Sequence, residues 1–186
     1  AVLHLELRRR YGELEHGHCV SFASGLAAVS AVLDELPLGA RVIGQRAPYY
    51  GVAALLRERA ERGLLTYEPH DTLTVEALTP TIDGLGLLWI ESPTNPMLDV
   101  VDLPAVIGLA KKAGAWVIVD NTFASPMGQN PIDHGADLVM HSGTKIIGGH
   151  SVWNSIRRTH ELAPGNWGAH AGSARIAADL YLGDTT

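Results

Sequence analysis

One lysine, Lys145, closes the run His141-Ser142-Gly143-Thr144-Lys145 and is followed by Gly148-Gly149-His150. A lysine in a partly desolvated pocket holds its proton less tightly, and its free amine can form a Schiff base with a carbonyl. Ser142 and Thr144 flank it with hydroxyls spaced to donate hydrogen bonds to a phosphate. A surface lysine beside serine and threonine is also commonplace, so this cluster alone leaves both readings open. Asp120 adds a second group. It ends the apolar run Trp116-Val117-Ile118-Val119, where a carboxylate without a partner is costly. A protonated pyridine nitrogen is one cation that would offset that cost, and the carboxylate would in turn keep the nitrogen protonated. The alternative is an aspartate that caps the next turn through neighbouring amides.

Two further features belong with these. Ser24-Gly25-Leu26 opens a helical run, and a helix start offers free backbone N–H groups and a positive dipole end to an anion. Tyr50 precedes Gly51 at the start of another helical run, where it can present an aromatic face to a flat ring. Tyr49 competes for that role, and either tyrosine can equally be core.

The elements that position these groups alternate along the chain. Val2 to Leu14 mixes leucines with charged residues as an amphipathic helix does, with Gly17 placed to end it. Val20 to Phe22 reads as a short buried strand. Gly25 to Leu36 carries apolar residues at helical spacing behind Ser24 as N-cap. Arg41 to Gly44 is strand-like, Tyr50 to Arg62 helical, and Leu64 to Tyr67 strand-like again. Leu87 to Ile90 is an apolar strand that runs into Glu91-Ser92-Pro93. Leu103 to Ala113 is a helix with Asp102 as N-cap and Pro104 in its first turn. Trp116 to Val119 and Asp137 to Met140 complete the strands. Apolar strands without polar alternation are covered on both faces, and the intervening helices supply the cover. The expected fold is α/β, a mainly parallel sheet with helices on both faces. Such a sheet gathers ligands at the carboxyl ends of its strands. The four polar clusters, around Ser24, Glu91 to Asn95, Asp120 to Thr122 and His141 to Lys145, fall at such ends and point to one crevice.

Composition narrows the function. With 186 residues, 46% apolar and 18% charged, the chain can bury a sizeable core, enough for one domain or one domain and part of another. A net charge of -6 argues against a polyanionic partner, so no nucleic acid is expected. Arg8-Arg9-Arg10 sits among Glu6 and Glu13 and reads as a solvated helix face. The one cysteine, Cys19, excludes an intramolecular disulfide and fits a reducing compartment; its apolar surroundings suit a small buried hydrophobe better than a nucleophile. No apolar run reaches the ~20 residues of a membrane span, and no signal-peptide core is visible at the N-terminus. No membrane association and a cytoplasmic location are therefore expected. His134, His141 and His150 lack the spacing of metal ligands, and no metal site is expected. A nucleotide-binding domain is disfavoured because neither Gly-x-Gly-x-x-Gly nor Gly-x-x-x-x-Gly-Lys-Ser/Thr occurs after an expected strand.

Several motifs together resemble one family. Glu91-Ser92-Pro93-Thr94-Asn95-Pro96, Val119-Asp120-Asn121-Thr122-Phe123-Ala124-Ser125-Pro126 and His141-Ser142-Gly143-Thr144-Lys145-Ile146-Ile147-Gly148-Gly149-His150-Ser151 resemble the Cys/Met-metabolism enzymes that depend on pyridoxal 5′-phosphate (PLP). These include cystathionine γ-synthase, the cystathionine lyases and methionine γ-lyase. Phe22-Ala23-Ser24-Gly25-Leu26-Ala27-Ala28 is similar to the family's phosphate-binding turn, and Pro48-Tyr49-Tyr50-Gly51 to the turn with its stacking tyrosine.

The resemblance implies a fold-type I PLP-binding domain. It implies that Lys145 carries the cofactor and moves protons, that Asp120 holds the pyridine nitrogen and that Tyr50 stacks on the ring and joins the catalysis. Asn95 would bond the phenolic oxygen, with Thr122 beside Asp120. Gly25, Leu26, Ser142 and Thr144, and Ser24 in the same turn, would hold the phosphate. The implied reaction is elimination or replacement at the β or γ carbon of a sulfur-containing amino acid, closer to the γ-acting members. A homodimer or homotetramer is implied as well.

The likeness runs to about Ser151 and then thins. Residues 1–155 are expected to form the PLP-binding domain, without the family's N-terminal arm. Residues 156–186 are expected to be a remnant leading towards an absent C-terminal domain. A catalytically inactive domain serving as a subunit or binding module is the competing expectation.

Overall fold

The computed structural model describes residues 2–148. Gly149-His150-Ser151, the segment 156–186 and the expected boundary at 155 lie outside the described residues. The chain divides into two compact units, one ending at Met140 and the other beginning at His141.

The first unit holds five parallel strands: β1 (Ala40–Gln45), β2 (Leu65–His70), β3 (Leu87–Glu91), β4 (Trp116–Asp120) and β5 (Leu138–Met140). Their order is β2-β1-β3-β4-β5. The helices are α1 (Val2–Leu14), α2 (Gly25–Asp34), α3 (Tyr50–Glu61), α4 (Val75–Leu78), α5 (Leu103–Lys112) and α6 (Ser125–Gly128). Both faces of the sheet are covered, as the apolar strands require. Val42, Leu87, Trp89 and Ile118 pack with Val29 and Leu33 of α2 and Val52 and Leu56 of α3. The alternate residues, Ile43, Leu88, Ile90, Val117 and Val119, pack with Leu78 of α4 and Val106, Ile107 and Ala110 of α5. Burying a residue of this size contributes about 1.5–3 kcal/mol, and in β3 all five residues are buried.

The helix ends follow from local chemistry. Ser24 Oγ accepts the Ala27 amide at 3.1 Å and caps α2. Asp102 Oδ1 accepts the Ala105 amide at 3.2 Å ahead of Pro104 in the first turn of α5. On α1, Arg9 bonds Glu6 and Glu13 and Arg10 bonds Glu6, so the basic run forms ion pairs along one helix.

One expected element is absent. Val20 to Phe22 is irregular chain, with Val20 66% and Phe22 46% exposed. A three-residue apolar run carries no periodicity of its own, and no strand of the sheet pairs with this one. Cys19 is half-buried, its carbonyl accepting from Arg8 Nε at 3.0 Å, and burial pushes its thiol pKa up.

Candidate functional site

The strand order reverses between β1 and β3. β1 leads by way of α3 to β2 on one side, and the chain then crosses to β3 on the other. The crevice outside the carboxyl ends of strands at such a switch point is where open α/β sheets bind ligands. Here its floor is Gln45 and Glu91. Backbone pairing of β1 with β3 ends at Gly44 and Trp89, and the carboxamide of Gln45 takes over. Its Nε2 donates to Glu91 O at 2.7 Å, and its Oε1 accepts from Glu91 N at 2.9 Å.

The groups singled out from the first unit's sequence are brought together around this floor. Asp120 ends β4 directly beside Glu91 in the register of the sheet. It is 5% exposed, and its Oδ1 accepts the Thr122 amide at 3.0 Å. The bland reading of Asp120, a cap on the following turn, is therefore part of what it does. Asn95 donates its amide to Glu91 Oε1 at 2.7 Å. Tyr49 donates its own to Glu91 Oε2 at 2.5 Å. Tyr50 begins α3 and is 77% exposed. Tyr49 instead packs against the α2–α3 side of the core, which separates the two candidates for stacking. The rings lie 4.7 Å apart at 57°, and the bond to Tyr50 pushes the Tyr49 hydroxyl pKa up.

Leu26 reaches the same place. A Cβ added at Gly51 would lie 2.9 Å from Leu26 Cδ2 and 2.9 Å from Tyr49 Cε1, so the starts of α2 and α3 touch and any larger residue at 51 would make Leu26 or Tyr49 shift. With Ala27 N–H bonded to Ser24 Oγ and Ala28 N–H to Ser24 O, the Gly25 and Leu26 amides are the ones a helix start leaves without an intrahelical acceptor.

The remaining candidates belong to the second unit and continue the chain from β5. The Lys145 amide donates to Ser142 O at 2.9 Å, forming a tight turn. The hydroxyls of Ser142 and Thr144 are 3.4 Å apart, and Lys145 and Thr144 are exposed.

Sequence reasoning placed Glu91 in a strand-end polar cluster but gave it no role. Its carboxyl is pushed up to about 7, chiefly by burial. The Tyr49 amide opposes the rise, Asp120 adds to it and the Asn95 amide opposes it again. The signal that marked Asp120, an acid closing an apolar strand, was present at Glu91 too. A buried amide network behind Asp120 was also missed. Asn121 Nδ2 donates to Glu15 Oε1 at 2.7 Å, and Gln129 Nε2 donates to Asn121 Oδ1 at 2.9 Å and Ser92 O at 2.6 Å.

These residues fit PLP by their chemistry. Two acids at adjacent buried strand ends repel one another, and a cationic ring nitrogen beside them relieves that repulsion. The amides of Gly25 and Leu26 suit a phosphate, and the exposed Tyr50 ring suits a flat heterocycle. Among the described residues, no group of three or more His, Cys, Asp or Glu side chains is arranged to hold a metal ion, and no helix is long and apolar enough to cross a membrane.

The fold is that of a PLP-dependent enzyme domain. A family model described as "Cys/Met metabolism PLP-dependent enzyme" matches residues 3–153, and the chain belongs to that family. It is 43% identical to a cystathionine gamma-lyase of Dictyostelium discoideum over 135 residues, 72% of this chain and 35% of the relative. A solved cystathionine gamma synthase of Xanthomonas oryzae pv. oryzae, in complex with aminoacrylate and cysteine, is similar with a TM-score of 0.74. It is 39% identical, over 78% of this chain and 38% of that one. A solved chain from Campylobacter jejuni that carries N′-pyridoxyl-lysine-5′-monophosphate is 28% identical with a TM-score of 0.71, covering 78% of this chain and 36% of that one. The chain spans less than half the length of the curated relatives it matches.

Proposed function

We propose that this chain is the cofactor-binding part of a PLP-dependent enzyme that eliminates or replaces a substituent at the β or γ carbon of a sulfur-containing amino acid, with the γ carbon favoured. The observation that carries the reading is the buried carboxylate of Asp120 closing β4 beside the switch-point crevice. Family membership and the relatives named for cystathionine support the substrate class.

PLP, when bound, supplies an electron sink for the carbanion formed at the substrate's α carbon. The chain's own residues do the rest. Asp120 holds the proton on the ring nitrogen, and the Thr122 amide on its Oδ1 fixes the carboxylate's orientation. Tyr50 covers one face of the ring and excludes water from it. Asn95 bonds the phenolic oxygen. The Gly25 and Leu26 amides, with Ser24, Ser142 and Thr144, anchor the phosphate. Lys145 Nζ would be the attachment point for PLP, and its amine, when free, would act as the base that takes the substrate's α-proton and as the acid that returns it.

The resemblance also supports a homodimer or homotetramer in the cytoplasm, and the exposed apolar side chains of Val20, Phe22, Met97 and Val100 are consistent with a covered surface.

The test is addition of PLP to the purified chain. A yellow absorbance band should develop, and borohydride should bleach it and leave a pyridoxyl adduct that peptide mass mapping places on Lys145. Lys145→Ala should lose the adduct while keeping its thermal midpoint, since an exposed lysine contributes within about 0.5 kcal/mol. Asp120→Ala should keep the adduct but bind PLP at least tenfold more weakly. No band with the wild-type chain, or an adduct on another lysine, would overturn the assignment.

A further inference from the structure

The two turns that contribute Tyr50 and Asn95 come from opposite sides of the switch point, one after β1 and one after β3. Each turn has local hydrogen bonds of its own, and each is also tied to one residue outside it. Tyr49, the N-cap residue of α3, makes no side-chain capping bond, and its backbone amide is held instead by Glu91 Oε2. The other oxygen of the same carboxyl holds the Asn95 amide. Glu91 itself is immobilised: it is 5% exposed, and its backbone N–H and C=O are both taken by the Gln45 carboxamide, itself 5% exposed. One carboxyl thus fixes the residue before the exposed aromatic ring and the residue assigned to the phenolic oxygen.

We propose that Glu91 is a positioning residue that yokes the Tyr49–Tyr50 turn to the Asn95 turn and so sets the width of the slot between the stacking ring and the phenolic-oxygen ligand. The inference rests on the PLP-binding reading above and deepens it. A carboxyl with both oxygens engaged by amides from two loops cannot release one without leaving a half-buried donor short of its acceptor. The loops therefore move as one body, and a flat ring enters a gap of preset size rather than closing two independent flaps. Preset geometry lowers the ordering cost of binding.

Two readouts test this. The first needs no cofactor. Amide hydrogen exchange at Tyr49 and Asn95, compared between the wild-type chain and Glu91→Ala, which removes both acceptors, should accelerate at least tenfold at both positions together, with the amides of β4 unchanged. Should Glu91→Ala fail to fold, Glu91→Asp keeps the charge but loses reach, and the same paired acceleration is expected. The second readout is PLP titration followed by circular dichroism of the bound chromophore. Either variant should bind at least tenfold more weakly and show an altered visible dichroic band, while Gln45, Asp120 and Lys145 are untouched. Exchange that changes at only one of the two amides, or at neither, overturns the yoke. Paired acceleration with unchanged PLP affinity and dichroism overturns its positioning role. A wild-type chain that binds no PLP overturns the functional reading and the positioning role with it, whereas the exchange comparison still decides whether the yoke exists.

Discussion

At the scale of single residues, the site turns on two acids in neighbouring strands that the sheet sets side by side. Glu91 titrates at about 7 against an ordinary 4.5, which fixes the sign of a pH effect. As pH rises, the unfolded chain releases this proton first, while burial and the charge of Asp120 make the folded chain keep it. The folded state therefore loses stability between about pH 4.5 and pH 7 and levels off above. The loss is on the order of 3 kcal/mol. Urea midpoints of the wild type and Glu91→Gln at pH 5 and pH 8 measure it: the wild type should fall relative to the variant at the higher pH. Parallel behaviour of the two proteins would contradict the assignment. Asp120 could be singled out from sequence because an acid at the end of an apolar run asks for a partner. Glu91 ends its run in the same way. Which of two strand-end acids faces the other, and which amides each one holds, depends on the register of β3 with β4 and on where distant turns return, and no local pattern encodes that.

Among the elements, α2 and α3 show how closely the helix starts meet. Gly51→Ala would push a methyl into Leu26 and Tyr49 at 2.9 Å and should cost about 1–3 kcal/mol. Adding Leu26→Ala should recover part of that loss, as read by thermal midpoint. No recovery would place the strain at Tyr49 alone. The long strands and helices were legible because each carries either a continuous apolar run or a helical period, with caps such as Ser24 and Asp102 marking the starts. The stretch from Val20 to Phe22 misled because its composition is strand-like while three residues are too few to carry a period. The short helices α4 and α6 span too few residues for any period to register.

For the molecule as a whole, the sheet separates two apolar layers, and apolar residues alternate between them along β1, β3 and β4. Leu56→Ala, on the α3 side, and Ile107→Ala, on the α5 side, should each cost about 2–5 kcal/mol. Because the residues share no cluster, the double variant should lose close to the sum of the two. A clear departure from additivity in urea unfolding would mean that the layers relax together through the sheet. Parallel topology and two-sided cover were readable from the unbroken apolar runs. The strand order was not, because it is fixed by crossovers that leave no mark in composition.

That order has a consequence for biosynthesis. Gln45 and Glu91, the two residues that close the floor of the crevice, stand 46 positions apart, and all of β2 is translated between them. An emerging chain can assemble β1 and β2 early, yet the pocket has no second wall until β3 leaves the ribosome and slots in beside β1. Vitamin B6 capture is thereby postponed until the central strand is seated, and a nascent chain arrested before Glu91 should have no affinity for it.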